Sequence, residues 1–402
     1  MLRVTQASMY TNTVNALQSQ YNTLGSIQEQ STSGSRVNRP SEDPSATYRD
    51  LLFGTQLSEV DSLVRTTDLA AQRMQMAETN LGVMEQKMLD AQQMVLIYGN
   101  NYQEGQPSVY QAASREALAL YEDIFSSANA KLDGVPLFSG ANTDVPFDES
   151  VLTTTSVKKR ADNSGSFVSA GSDFSAALNG TPSDIPLSAR IIYRTTDDAG
   201  TALATPQYQV DVNGETLGPF DSTGFPQEID LGNGTTFTAG SEPADKDAFY
   251  FEVVPDYQGG DADREVRIAD NQRLDGNVTG AEIIEGTGNG RDENLFGSLA
   301  GLRGALLRAD SEEVSAWLTP VQEGRAQVQD LQAITGVRTV LMESVNDSLE
   351  LDSDTLQTSK AINVDVDAFE IYSRLQQTSQ SMQMMAVSER QVLDTSLLDF
   401  IR

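Results

Sequence analysis

Apolar and polar positions along the C-terminal stretch alternate with the period of a coiled-coil seam. From roughly Val364 to Arg402, the residues Val364, Ala368, Ile371, Leu375, Thr378, Met382 and Met385 step by fours and threes, with Val392 one heptad further, and neither Gly nor Pro interrupts. The spacing predicts one amphipathic helix of about 55 Å. Its anchors contribute roughly 2 kcal/mol each on burial, whereas ordering each backbone position costs on the order of 1 kcal/mol or more. Such a helix needs a partner with a matching stripe. The N-terminus supplies one: Val4, Ala7, Tyr10, Val14, Leu17, Tyr21, Leu24 and Ile27 keep three-four spacing, and Gln, Asn, Ser and Thr fill the other face.

Between these ends the pattern changes twice. Ser31 to Ala46 is punctuated by Gly34, Pro40 and Pro44, with Ser41 or Asp43 placed to cap a following helix. A long helical pattern then runs from about Ala46 to Ile97, with Gly54 and Gly82 as its weak points. A third helix is expected from Ser108, as N-cap, to Leu132, stopped by Gly134. From about Val135 to Gly290 the chain turns rich in Gly, Pro, Thr, Ser and Asp. Alternating runs at 190–196, 207–212 and 248–254 read as strands, with Asn213-Gly214 and Asn233-Gly234 as hairpin turns. Helix returns at about Asp292; after a cap at Asp310 or Ser311, a seam runs from Glu312 to about Leu356, with a bend or restart expected at Thr319-Pro320. A short polar hinge then leads into the last helix.

The fold class that follows is α+β. An elongated antiparallel helical bundle or coiled coil is formed by both termini, and a β-rich outer domain is inserted in it. The division is 1–45 plus 357–402 as a terminal coiled-coil segment that orders on association, 46–142 plus 290–356 as a helical rod, and 143–289 as the exposed insertion.

Composition narrows the chemistry. With 27 basic against 58 acidic residues the formal charge is −31, which argues against nucleic acid and anionic membranes as partners. The absence of histidine and cysteine removes thiol nucleophiles, imidazole bases, Cys/His zinc sites and disulfides. It suits a protein that must not be cross-linked in transit, or reflects chance or lineage bias. No cofactor, metal or catalytic site is expected. The GTGNG run at 286–290 lacks the Lys-Ser/Thr of a phosphate loop and reads as a hinge. The acid pairs Asp261/Asp263 and Asp365/Asp367 lack calcium-loop spacing, and the Met residues on helical faces read as core filler. Arg36 and Arg39, cations on an acidic chain, either pair with carboxylates of another copy or are two solvated arginines at a turn. The N-terminus has no basic and apolar signal-peptide regions, and no window reaches the length of a membrane span. On these signals the protein is cytoplasmic, or leaves the cell by a route that reads no cleavable signal.

Three stretches carry a resemblance: RVTQASMY with QYNTLGSIQEQSTSGSRVNRPSEDPSAT, then LDGVPLFSG at 132–140, and the ending DVDAFEIYSRLQQTSQSMQMMAVSERQVLDTSLLDFI. They resemble the flagellin superfamily and, within it, the hook-associated protein 3 family of hook-filament junction subunits. The SGSRVNRPSEDP loop is the specific motif, and Ser35 and Glu42 are small departures from it, where Lys and Asp are common. The resemblance implies a subunit secreted through the flagellar type III apparatus and placed as a ring between hook-associated protein 1 and the flagellin filament. It also implies a cytoplasmic export chaperone that holds the C-terminal helix, and a location at the hook-filament junction. The expected assembly and chaperone contacts are Val4, Val14, Leu17, Tyr21, Leu24, Arg36, Arg39, Ile371, Leu375, Met382, Met385, Val392, Leu397 and Leu398. A flagellin proper is the nearer alternative. A type III translocator or needle-tip protein is a second one, but it wants a long apolar segment, and no residue spacing singles out an enzyme.

Overall fold

The computed structural model describes residues 6–100, 106–160, 166–182, 184–232, 234–260, 262–269, 272–285 and 294–400. Its helices are α1 (Gln6–Ser33), α2 (Pro44–Tyr98), α3 (Pro107–Ala128), α4 (Gly280–Glu285), α5 (Leu295–Leu307), α6 (Ser311–Ala316), α7 (Leu318–Val364) and α8 (Ala368–Phe400). Between α3 and α4 lie the strands β1 (Lys131–Leu132), β2 (Val135–Pro136), β3 (Phe147–Thr154), β4 (Lys158–Arg160), β5 (Val168–Ser169), β6 (Phe174–Leu178) and β7 (Leu187–Thr196). They continue as β8 (Ala202–Val212), β9 (Glu215–Asp221), β10 (Gln227–Asp230), β11 (Thr235–Ala239), β12 (Ala248–Tyr257), β13 (Glu265–Ala269) and β14 (Gln272–Asp275). The class is α+β, and every sheet is antiparallel. Two compact units divide the chain: Met1–Arg65 with Asn346–Arg402, and Thr66–Val345.

In the second unit, α2 buries Ala70, Met74, Ala77, Leu81, Met84, Met88 and Ala91 at three-four spacing against Val321, Val328, Leu331 and Met342 of α7. Gly82 does not break the helix; it sits where a Cβ would come within 3.3 Å of Gln332 Nε2, so the small residue permits the close approach. α3 starts two residues earlier than an N-cap at Ser108 would place it. Pro107 takes the first helical position and Gln106 precedes it without a side-chain cap, because proline brings its own φ and has no N–H to satisfy. The helix also ends before Leu132. Asp133 (φ 52°) and Gly134 (φ 80°) form instead the two-residue turn of the β1–β2 hairpin, the mirror-image turn that Asp-Gly favours.

The three expected alternating runs fall on β7, β8 and β12. Asn213 (φ 47°) and Gly214 (φ 82°) make the β8–β9 turn; Asn233 and the 286–290 run lie outside the described residues. The larger sheet has the order β5-β4-β12-β7-β8-β9, with β3 also paired to β12, and the smaller has the order β10-β11-β6. Ile191, Tyr193, Tyr208, Val210, Phe249 and Phe251 of the first sheet meet Ile229 and Phe237 of the second in one core. Tyr250 and Val254 are buried as well, so β12 is covered on both faces, and α5 packs on β7 and β12.

One charged network ties this sheet to the helices. Glu313, on α6 and wholly buried, accepts from Arg308 Nε at 3.0 and 3.1 Å, from Arg308 Nη2, and from Arg190 Nη1 at 3.0 Å. Arg308 Nη1 also reaches Asp211 Oδ1 at 3.3 Å, and Arg190 Nη1 reaches Asp310 Oδ2 at 3.1 Å. Burial penalises the Arg308 cation, but the Glu313 and Asp211 carboxylates outweigh that penalty and raise its pKa. Trp317 is buried beside the network, with Lys158 Nζ 4.6 Å from the ring centroid and Phe167 at 4.8 Å. The expected restart near Thr319-Pro320 takes the form of a break between α6 and α7. Asp310 Oδ1 accepts from Glu313 N at 3.0 Å and caps α6.

Candidate assembly interface

In the first unit α1 packs on α8. Their adjoining ends are joined by backbone: Arg36 N donates to Val364 O at 2.7 Å and Val366 N to Gly34 O at 3.1 Å, so Ser35 and Asp365 form an antiparallel bridge. Since the end of α1 and the start of α8 meet at this bridge, the two helices run antiparallel. Gly34 at φ 71° supplies the left-handed turn that lets the chain leave α1 and reach the bridge.

The bridge also corrects the position of the hinge. Residues 357–363 are helical, and Val364 ends α7 rather than opening the last helix. The break falls at 365–367, where Asp367 Oδ1 accepts from Phe369 N at 2.8 Å and Glu370 N at 3.3 Å. A carboxylate that satisfies free N–H groups starts α8, whereas the polar run before it carries no helix breaker.

Asp43 performs the same service for α2. Its Oδ1 accepts from Ser45 N at 3.2 Å, Ser45 Oγ at 2.8 Å and Ala46 N at 3.0 Å. The Ala46 amide, then Ser45, with Arg36 adding to them, lower its pKa to about 2. The two arginines of the loop find partners within the chain. Arg36 Nη2 lies 3.3 Å from Asp43 Oδ2 and donates to Asn363 O at 3.1 Å, and Arg39 Nη2 lies 3.1 Å from Glu29 Oε2. Both stay substantially exposed, at 49% and 67% of the side chain, so each pair is a surface contact of small worth. Gln30 Nε2 donates to Arg36 O at 2.8 Å. Val37, Arg39, Pro40, Ala46, Asp50 and Val364 line a cleft of about 190 Å³ beneath the loop.

From Ile371 on, the α8 seam follows its predicted positions, with Ile371 and Thr378 buried and Leu375, Met382 and Met385 half-buried, but Ala368, also assigned to it, is exposed in the first turn. On α1 the covered line is Thr13, Leu17, Gln20, Leu24 and Ile27. Leu17 and Leu24 belong to it, but Val14 and Tyr21 do not, being 37% and 61% exposed. One position along a helix is 100° around it, and the polar Thr13 and Gln20 hold the places that apolar counting gave to their neighbours. Val4 lies outside the described residues; Val392, Leu397 and Leu398 are on α8, with side chains outside the description. Sequence reasoning missed Gln30, Asn363 and Asp367. The Asp-Ala-Phe-Glu start of α8 was a legible capping signal, whereas Asn363 contributes a carbonyl that no sequence pattern announces.

Among the described residues no group of three or more acidic, His or Cys side chains is placed to hold a metal, and no helix is long and apolar enough to cross a membrane. Asp261, one of the acids considered for calcium, lies outside them.

Residues 4–143 match the family model for the bacterial flagellin N-terminal helical region. No curated protein matches the chain. Among solved structures, the chain is similar to a putative flagellar hook-associated protein from Vibrio parahaemolyticus, at 14% identity and TM-score 0.49, covering 80% of this chain and 99% of that one. It is also similar to FlgL from Xanthomonas campestris, at 14% identity and TM-score 0.38, covering 76% and 98%. The flagellar junction protein FlgL from Legionella pneumophila follows at 11% identity and TM-score 0.34, covering 79% and 99%.

Proposed function

We propose that this chain is a structural subunit of the bacterial flagellum that joins hook to filament, without catalysis. The observation that carries the reading is a flagellin-type N-terminal region whose first helix packs antiparallel on the last helix of the chain. Both seams are incompletely covered in the single chain: Ile27, Ile371 and Thr378 are buried, but Leu17, Leu24, Leu375, Met382 and Met385 are intermediate in exposure. Sister copies complete them, so 1–45 with 357–402 forms the inner tube, 46–142 with 290–356 the rod, and 143–289 the outward insertion. On this reading the chain is secreted by the type III route and its C-terminal helix is held by a cytoplasmic chaperone beforehand. In the flagellum it stands as a ring between hook-associated protein 1 and flagellin.

The test is Met382→Asp. A charge in the α8 seam is expected to abolish filament attachment in cells while Trp317 keeps its buried emission in the purified chain. Normal filaments in that strain would refute the role of the seam. A filament subunit is the second reading, favoured by the family description itself. Deleting the gene separates the two, since loss of a junction subunit leaves hooks in place and releases flagellin into the medium.

A further inference from the structure

In the first unit α2 and α7 also pair, and each leaves an apolar stripe on the side turned from the other. Lys360 Nζ lies 3.5 Å from Asp50 Oδ1, and Ser353 Oγ lies 3.5 Å from Asp61 Oδ1. The numbers rise along one helix as they fall along the other, so the helices are antiparallel and Leu51 stands level with the turn that holds Ile362. At 100° per residue, Tyr48, Leu51, Leu52 and Thr55 lie about 130° round α2 from the Asp50–Gly54 side. Leu351, Thr355, Thr358 and Ile362 lie nearly opposite the Ser353–Lys360 side of α7. Both stripes are open: Tyr48 68%, Leu51 71% and Leu52 41% on one, Leu351 67% and Ile362 79% on the other.

The α2 stripe contains no charge from Tyr48 to Thr55, the next residue along it being Glu59, and the α7 stripe contains none from Leu351 to Ile362, on a chain whose net charge is −31. Copies of so acidic a protein repel one another, and two uncharged helical faces are where they can approach without setting carboxylate against carboxylate. The three-four spacing of each face is that of a seam, which accepts a helix. The faces point apart, so one chain can engage a copy on each side. We infer that the α2 stripe docks on the α7 stripe of a second copy, antiparallel and at the same level, so that Leu51 of one chain meets Ile362 of the next. The contact is head-to-tail rather than two-fold, and repetition closes it into a ring. Each face offers only two or three large apolar side chains, where a stable pair takes about 20–30 residues a side, so dimers are weak and closure holds the assembly. This rests on the self-assembly reading above.

The absence of cysteine makes the test direct. Full-length Leu51→Cys and Ile362→Cys chains, singly and mixed, are treated with a short bismaleimide and resolved by denaturing electrophoresis. Val168→Cys, at a 55% exposed strand position, reports random collision. The mixture is expected to give at least about ten times more covalent dimer than either variant alone or than Leu51→Cys with Val168→Cys. The double variant should give a ladder. A Leu51–Leu51 product that dominates would overturn the head-to-tail contact, and yields equal to the collision control would overturn the surface. In cells, filaments built by the double variant without a 51–362 product would also sink this surface while leaving the flagellar reading intact. A ladder from the purified chain, with flagella unchanged after gene deletion, would support the surface and sink that reading.

Discussion

Replacing Glu313 by Gln keeps the size of the side chain and removes the charge on which two guanidinium groups converge. Glu313 and Arg308 have side-chain exposures of 0% and 1%, so water cannot take the place of the lost carboxylate. Arg308 retains one carboxylate, Asp211 at 3.3 Å, and Arg190 retains the partly exposed Asp310 at 3.1 Å. Breaking a buried pair from one side leaves a buried cation undercompensated and costs about 3–5 kcal/mol. With a urea dependence of about 2–3 kcal/mol per molar for a unit of this size, the unfolding midpoint should fall by about 1–2.5 M. The chain has a single tryptophan, Trp317, which is buried next to α6. Its emission during urea titration therefore follows this unit alone, without interference from the terminal helices. A midpoint shift below about 0.3 M would refute the claim that the network joins sheet to helices, and would mean that Arg308 finds other acceptors or water.

Gly301→Ala should destabilise the same unit by about 1–3 kcal/mol through overpacking, because a Cβ there would lie 2.1 Å from the Trp317 ring; a lowered urea midpoint with altered Trp317 emission is the expected readout, and wild-type behaviour would show that the ring can move aside. Asp43 has its pKa lowered from 3.8 to about 2, so its stabilisation is complete above pH 3.8 and lost as pH falls through about 2. Asp43→Asn should leave α2 capped at neutral pH and flatten the loss of Ala46 amide exchange protection across that window; identical acid profiles in the two proteins would refute the linkage.

The elements that sequence located correctly were those whose burial repeats locally. Met74, Leu81, Met84 and Met88 are spaced for one helical face, and that face is the one α7 covers. The β7, β8 and β12 runs alternate because each packs a sheet face. What escaped was set by groups far apart in the chain. Arg190, Arg308 and Glu313 meet across more than a hundred residues, and on a chain with so many acids nothing marks this carboxylate. α5 is buried all round, at Leu295, Phe296, Leu299, Leu302 and Leu306 alike, so it has no amphipathic period to read. At the terminal pair, apolar counting found Leu17 and Leu24 but assigned Val14 and Tyr21 to a line that Thr13 and Gln20 occupy. Arg36 and Arg39 were visible as rare cations. Their acceptors, Asp43 with the Asn363 carbonyl and Glu29, became visible only once the bridge at Ser35 had set the loop in place.

The placement of β12 carries a consequence for the order of folding. This strand comes near the end of the insertion, yet β3, β4 and β7 all hydrogen-bond to it. The β7–β8–β9 meander and the β4–β5 pair can form locally, but until residues 248–257 arrive nothing joins β3 and β4, made about a hundred positions earlier, to that meander. A polypeptide cut short before Ala248 would therefore keep the meander but lose the strand that joins it to the rest of the sheet.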